Sequence, residues 1–231
     1  MKLVSALLCK NEAASDRYLK RVLERCLSFS DAVVLLDDRS TDATAKVASS
    51  LGCQVFGRSV LLEPAWGTET PARRELWELA AREAGDGWVL FVDADMLLHG
   101  DPRPLCYSRA ANAWAFILYD VWSEDERFYR SDGYWQAHRA PRPWLFRPSA
   151  VPEGWTAQWS GRGIHCGHAP TNFPLQLAIA PPADYFWLHL AYAKAEHRRA
   201  KHRQYMEQAA HLSPQELAHA QSICCDSPPT L

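Results

Sequence analysis

The chain lacks an apolar run long enough to cross a membrane. Its N-terminal stretch, Leu3 to Leu8, gives way to Lys10-Asn11-Glu12, too short for a signal-peptide core and far below the ~20 residues of a spanning helix. Cys-x-x-Cys is absent from the seven cysteines, which are scattered and odd in number. Several lie in apolar runs, where a reduced thiol acts as a small hydrophobe, so a disulfide framework is not expected. A soluble cytoplasmic protein is expected, with peripheral membrane contact left open. No charge of one sign dominates: a formal net charge of −2 gives no electrostatic footing for nucleic-acid binding. Repeats and low-complexity tracts are missing too. With 231 residues, 48% hydrophobic and 23% charged, the chain can bury a substantial core as one large domain or two small ones. Its ten tryptophans suit core packing, and a minority can line a groove for sugar rings.

What is present is an alternation of strands and helices. Leu3 to Leu8 reads as a buried strand. Leu19, Val22, Leu23, Cys26 and Leu27 recur at helical spacing and predict an amphipathic helix over 15–28. Ala32 to Leu36 is a second buried strand, running into Asp37-Asp38-Arg39-Ser40-Thr41-Asp42. Ser40 or Thr41 can cap the next helix, with apolar face Val47, Ala48 and Leu51 and a stop at Gly52. Asp42 reads equally as a helix-entry residue or a ligand. Gln54-Val55-Phe56 is a short strand, 58–70 a loop, and 71–84 a helix opened by Pro71. Trp88 to Val92 is a fourth strand. This pattern predicts an α/β fold, a mostly parallel sheet with helices on both faces. Ligands of such sheets bind beyond the carboxyl ends of the strands, so Asn11-Glu12, Asp37-Asp38 and Asp93/Asp95 should converge on one edge.

The fourth strand ends in Asp93-Ala94-Asp95. Paired carboxylates repel each other and are costly to desolvate unless a cation or hydrogen-bond donors compensate. A hard divalent ion, Mg²⁺ or Mn²⁺, is the ready compensator, and it commonly shares its shell with phosphate oxygens. That points to nucleotide-diphosphate chemistry. The plain alternative is a pair that merely caps the next segment.

The second half differs. A strand is expected at Trp114 to Tyr119, then a Pro-, Trp-, Arg- and Gly-rich stretch over 120–174, the composition of substrate-binding loops. A basic helix follows at about 191–210, and Ser213-Pro214-Gln215-Glu216 is a capping box opening a last helix. Residues 1–110 are thus expected to form a nucleotide-binding α/β half and 111–231 the acceptor-side loops and C-terminal helices of the same domain.

In order, four motifs resemble family-2-type glycosyltransferases of the GT-A fold. They are the strand leading to Asn11-Glu12; Leu36-Asp37-Asp38-Arg39-Ser40-Thr41-Asp42-Ala43-Thr44; Ala72-Arg73-Arg74 before Phe91-Val92-Asp93-Ala94-Asp95; and His189-Leu190-Ala191-Tyr192 with Lys201 and Tyr205. The resemblance implies a GT-A-like, Rossmann-type sheet. It also implies divalent-metal-dependent, inverting transfer from a nucleotide-diphospho-sugar to a carbohydrate, lipid-linked or small-molecule acceptor. Asn11, Glu12, Asp37 and Asp38 would serve the nucleoside, Arg73 the nucleotide oxygens, and Asp93 the ribose and metal. Asp95 would be the principal metal ligand, His189 would complete the metal shell, and Arg198 and Lys201 would contact phosphate. Without the resemblance, Arg73 reads as a surface residue, His189 as a hydrogen-bonded core histidine and 197–203 as a solvated helix face.

An inverting transferase needs a base near the acceptor hydroxyl. Asp120, Glu124, Asp125, Glu126, Asp132 and His165 are candidates, with Asp95, Glu124, Asp125 and His165 as the catalytic set. Some relatives show His-Glu where this chain has His165-Cys166, which leaves the acidic role without its residue. His165, Cys166 and His168 lack a fourth partner at zinc-like spacing. Two other functions remain: a catalytically silent GT-A-like nucleotide-binding module, and a phosphatase of the haloacid-dehalogenase kind. The phosphatase fits poorly, because Met96-Leu97-Leu98 follows the Asp pair and the motif comes at the fourth strand.

Overall fold

The structure, a computed structural model, describes residues 1–13, 18–58, 69–160, 166–207, 209 and 212–224. The predicted alternation is present. Strands β1 (Leu3–Cys9), β2 (Ala32–Asp37), β3 (Gln54–Gly57) and β4 (Trp88–Val92) are parallel, with β1 between β2 and β4 and β3 outside β2. Both faces of this sheet are covered, which is why β1 and β4 carry almost no polar residues. Leu3, Leu7 and Cys9 of β1 pack with Leu19, Val22, Leu23 and Cys26 of α1 (Leu19–Phe29) and Ala48 of α2 (Thr44–Ser50). Val4 and Ala6 face Leu76, Trp77 and Ala80 of α3 (Glu69–Ala84). Residues 15–17 of the predicted first helix lie outside the described residues. α3 begins at Glu69, so Pro71 sits inside the first turn, where its missing N–H has no helical partner to lose.

Four strands were not foreseen. β5 (Met96–His99) starts immediately after Asp95, and β7 (Arg142–Phe146) crosses the stretch expected to be loop. β7 lies antiparallel between β4 and β6 (Ala113–Asp120). Its Pro143 falls where the ladder slips at Trp114/Ala115, and a bulge is where a sheet tolerates proline. β8 (Leu177–Ile179) and β9 (Phe186–His189) pair in parallel with successive halves of β6, and β5 pairs antiparallel with β9. The order is β3-β2-β1-β4-β7-β6-β9-β5 with β8 beside β6, a mixed but mostly parallel sheet. Met96, His189 and Asp120 stand side by side across β5, β9 and β6.

A short helix α4 (Arg103–Cys106) precedes β6. After β9, a 3₁₀ turn (Leu190–Tyr192) leads into α5 (Ala195–Met206), so the basic helix starts later than expected. α6 (Pro214–Ser222) opens on the predicted capping box, with Ser213 and Glu216 bonding reciprocally. The C-terminal helices are fixed by aromatics: Trp122, Trp135, Tyr192 and Ile223 form one cluster. Trp122 is held between the guanidinium groups of Arg130 and Arg198 at 4.7 and 5.1 Å. Among the described residues, no helix is long and apolar enough to cross a membrane.

Candidate active site

The loops after β1 and β2 are knitted together. The Asn11 N–H donates to Ser40 Oγ at 2.9 Å, and the Thr41 N–H donates to Asn11 Oδ1 at 2.7 Å. Asn11 and Arg39 take left-handed backbone conformations, φ 54° and 60°, which asparagine tolerates better than most residues. Ser40 and Thr41 are used here rather than as the helix cap. Asp42 serves the helix entry instead, accepting from the Thr44 N–H at 2.9 Å and from the Ala13 N–H at 3.0 Å. The Glu12 N–H donates to Thr44 Oγ1 at 2.8 Å. Asp38 is buried and bonded to the buried Arg58 at 2.9 Å, with Arg39 at 3.3 Å. Asp37 Oδ2 accepts from the Ser40 N–H at 3.1 Å, while its buried Oδ1 finds no donor among the described residues. An orphaned buried acceptor is costly and rare, and it marks a place where a ligand donor is worth most.

Cys9, at the end of β1, senses the convergence of the strand ends. Burial raises its thiol pKa well above the usual value; the charges of Glu12, Asp93 and Asp37 add to this, and Arg73 opposes them. The three sequence-distant acidic segments therefore do meet at one edge.

Asp93 belongs to a branch built from α3. Arg73 donates from Nη2 to Asp93 Oδ1 at 2.9 Å and from Nη1 to His168 Nδ1 at 3.1 Å. A guanidinium only donates, so His168 carries its proton on Nε2, which lies 4.0 Å from Asp93 Oδ2. His168 is packed against Phe91 and Trp144. Burial, then Arg73, pushes it down to about 3 against the pull of Asp93, and it is neutral. Burial raises Asp93, but the Arg73 charge and its hydrogen bond prevail and hold it below the ordinary range. Beyond Arg73 lies Glu69, with Oε2 3.9 Å from Arg73 Nε. The Cys166 thiol is raised by burial, lowered by a bond from Thr70 and raised again by the Glu69 charge.

Asp95 belongs to a second branch. Its carbonyl accepts from the Leu190 N–H at 2.8 Å, which ties the start of β5 to the end of β9. His189 Nδ1 is 2.7 Å from Asp120 Oδ1, and its Nε2 is 3.8 Å from Asp95 Oδ1. Lys201 Nζ lies 3.9 Å from Asp95 Oδ2. Burial disfavours charge on His189, but Asp95 and the bond to Asp120 outweigh it and raise the imidazole to about 9. Tyr205, one turn beyond Lys201, is raised by burial, lowered by Lys201 and raised by Glu69 and Asp95.

Asp93, Asp95 and His189 were expected to share one metal. Among the described residues, no three His, Cys, Asp or Glu side chains are grouped to hold an ion, because Asp93 is turned to Arg73. Asp95 and His189 remain as a carboxylate–imidazole pair, with Asp120 orienting the ring from behind. That donor set suits a divalent ion that draws its other ligands from phosphate and water.

Other expectations change. Arg73 is committed to Asp93 and His168 instead of facing open solvent for a nucleotide. Arg198 does not point at phosphate: its Nη1 donates to the carbonyls of Tyr192, Ala193 and Trp122 at 2.6, 3.2 and 3.3 Å. Asp125 closes its own turn through Ser123 Oγ and the Arg127 N–H, and Glu124 is exposed beside it. Glu126 pairs with Arg21 on α1, and Asp132 with Arg130. His165 lies outside the described residues. Sequence reasoning misses Glu69 and Arg58 and considers His168 only as a zinc ligand. The i,i+4 spacing of Glu69 and Arg73 is a usable signal; a single arginine in an irregular segment offers none for Arg58.

No family model matches the chain, and no curated protein matches it. Similar solved structures include glucosyl-3-phosphoglycerate synthase of Mycobacterium tuberculosis in complex with Mn²⁺ and UDP-glucose. It has 24% identity and a TM-score of 0.39, over 51% of this chain and 43% of that one. The same enzyme with Mn²⁺, UDP and glucosyl-3-phosphoglycerate gives 23% identity and a TM-score of 0.39, over 51% and 44%. The chain thus matches less than half the length of that enzyme.

Proposed function

We propose that the protein is a glycosyltransferase that takes its sugar from a nucleotide-diphospho-sugar with the help of Mn²⁺ or Mg²⁺. The observation that carries this reading is the Asp95–His189–Asp120 series beside Lys201, on the sheet edge that also holds the orphaned Asp37 Oδ1. Asp37, with Glu12 nearby, receives donors of the nucleoside, while Asp38 is buttressed by Arg58. Asp95 and His189 hold the ion, which neutralises charge on the diphosphate when bound. Lys201 offers a second positive charge to the same oxygens. Asp93, kept ionised by Arg73, faces the sugar and ribose side. The acceptor is a carbohydrate, a lipid-linked molecule or a small molecule.

A thermal-shift screen of UDP-, GDP-, dTDP- and CMP-linked ligands, with and without Mn²⁺, tests the reading. One nucleotide class should raise the melting temperature in a metal-dependent way, and Asp95→Ala should remove both that rise and donor turnover while folding persists. Full metal-dependent turnover in the Asp95→Ala variant refutes the reading. A second reading, a nucleotide-binding module without turnover, draws on Cys166 standing where an acid was expected and on the dispersal of the expected bases. Calorimetric binding of a nucleotide-sugar without consumption across a broad acceptor panel favours it.

A further inference from the structure

We propose that Glu69 is the general base of the transfer, the carboxylate that takes the proton of the acceptor hydroxyl. The inference rests on the glycosyl-transfer reading above. A base must be a carboxylate near the reacting centre, accessible to the acceptor and not already consumed by a tight partner. The candidate acids suggested by the sequence after Asp95 are engaged elsewhere or lie on an exposed turn. Asp120 is bonded to His189, Glu126 to Arg21 and Asp132 to Arg130, and Asp125 closes a turn next to the exposed Glu124. Glu12 sits on the β1–β2 side with Asp37.

Glu69 meets all three conditions. It lies in the first turn of α3 with its side chain 32% exposed. Its nearest cation, Arg73, keeps the short 2.9 Å contact for Asp93 and stands 3.9 Å from Glu69. Arg73 thus links Glu69 to Asp93, two residues from Asp95, so Glu69 stands on the Asp93 flank of the site. A sugar carried on a diphosphate held at Asp95 and His189 would lie along this flank.

The step balances in one displacement. The acceptor O–H gives its proton to a Glu69 oxygen, and the acceptor oxygen bonds to the anomeric carbon. The bond from that carbon to the diphosphate oxygen breaks, and its electron pair leaves with the nucleoside diphosphate. A single displacement inverts the anomeric configuration.

The test uses whichever of UDP-glucose, GDP-mannose or dTDP-glucose stabilises the wild-type protein in Mn²⁺. It follows release of nucleoside diphosphate with water as acceptor, and then with added azide. Azide is a nucleophile with no proton to remove. In Glu69→Gln, the donor's thermal shift and KM should stay within about twofold, while kcat in water falls about 100-fold or more. Azide should restore release and yield a glycosyl azide. Glu69→Asp, which keeps the carboxylate on a shorter arm, should retain part of kcat and serves as the reading if the glutamine variant folds poorly. Wild-type kcat in Glu69→Gln, or a loss that azide does not repair in a protein that still binds donor, overturns the inference and leaves the proposed function standing. If the wild-type protein neither binds nor consumes any donor, the proposed function fails and takes this inference with it.

Discussion

Changing pH in the metal-free protein acts on His168 and His189 in opposite senses. His189 is raised from 6.5 to about 9, so between these values the folded state keeps a proton that the unfolded state releases. Its stabilisation is complete below 6.5 and is lost as pH climbs toward 9, a change on the order of 3 kcal/mol. His168 is lowered from 6.5 to about 3, so the unfolded state takes up the extra proton. Its contribution is complete above 6.5 and is lost on acidification, by about 1.4 kcal/mol per pH unit. Stability should therefore peak near 6.5, the ordinary value of both groups. The alkaline limb is the cleaner one. Carboxylates held low, such as Asp93 and Asp31, add to the acid limb, whereas the buried thiols of Cys26 and Cys106 matter only above their ordinary 9.0. Urea unfolding in EDTA across this range measures the curve, and His189→Gln should flatten its alkaline side. Saturating Mn²⁺ takes the place of the proton and should stabilise the protein more at the alkaline end than near 6.5. An alkaline limb as steep in His189→Gln as in the wild type, or equal stabilisation by Mn²⁺ at both ends, refutes the account.

Other outcomes follow from single contacts. Asp37→Asn keeps an acceptor for the Ser40 N–H but removes the charge from the orphaned oxygen. Donor affinity measured by calorimetry should fall about tenfold to 100-fold, the worth of a charged hydrogen bond, with the urea midpoint unchanged or raised. Arg58→Met strands the buried Asp38 carboxylate and should cost about 3–5 kcal/mol in urea unfolding. Glu124→Ala and Asp125→Ala should leave donor turnover at the wild-type level and the urea midpoint little changed; a large fall in turnover would return that loop to the site.

Much of the donor side was legible because each strand end announces itself. An apolar run covered on both faces admits no charge, so Asp37-Asp38 and Asp93/Asp95 mark where β2 and β4 leave the core. What remained hidden depends on lateral pairing. The bond between Asp120 and His189 arises because β6 and β9 align in register, and no local pattern encodes which strands become neighbours. β7 was obscured by Pro143, which reads as a breaker until the bulge beside it is seen. Arg198 looked like a phosphate ligand on charge alone; its carbonyl partners at Trp122, Tyr192 and Ala193 are brought to it by the aromatic cluster. Glu69 is hidden in the sequence because the base candidates it suggests all follow Asp95, while the helix that carries Glu69 comes before.

The Asp120–His189 bond joins residues 69 apart in sequence, and Asp95 comes from the turn between β4 and β5. The nucleoside half, by contrast, is closed by the neighbouring segments β1, β2 and the turn into α2. Pairings of long sequence separation form late in folding, because loop closure must precede any reward from the contact. A chain emerging from the ribosome can thus complete its nucleoside-side loops well before Asp95, His189 and Asp120 meet. On the proposed function, chemistry at this site is tied to the last stage of maturation, and a stalled or misfolded copy would have no means of consuming a donor.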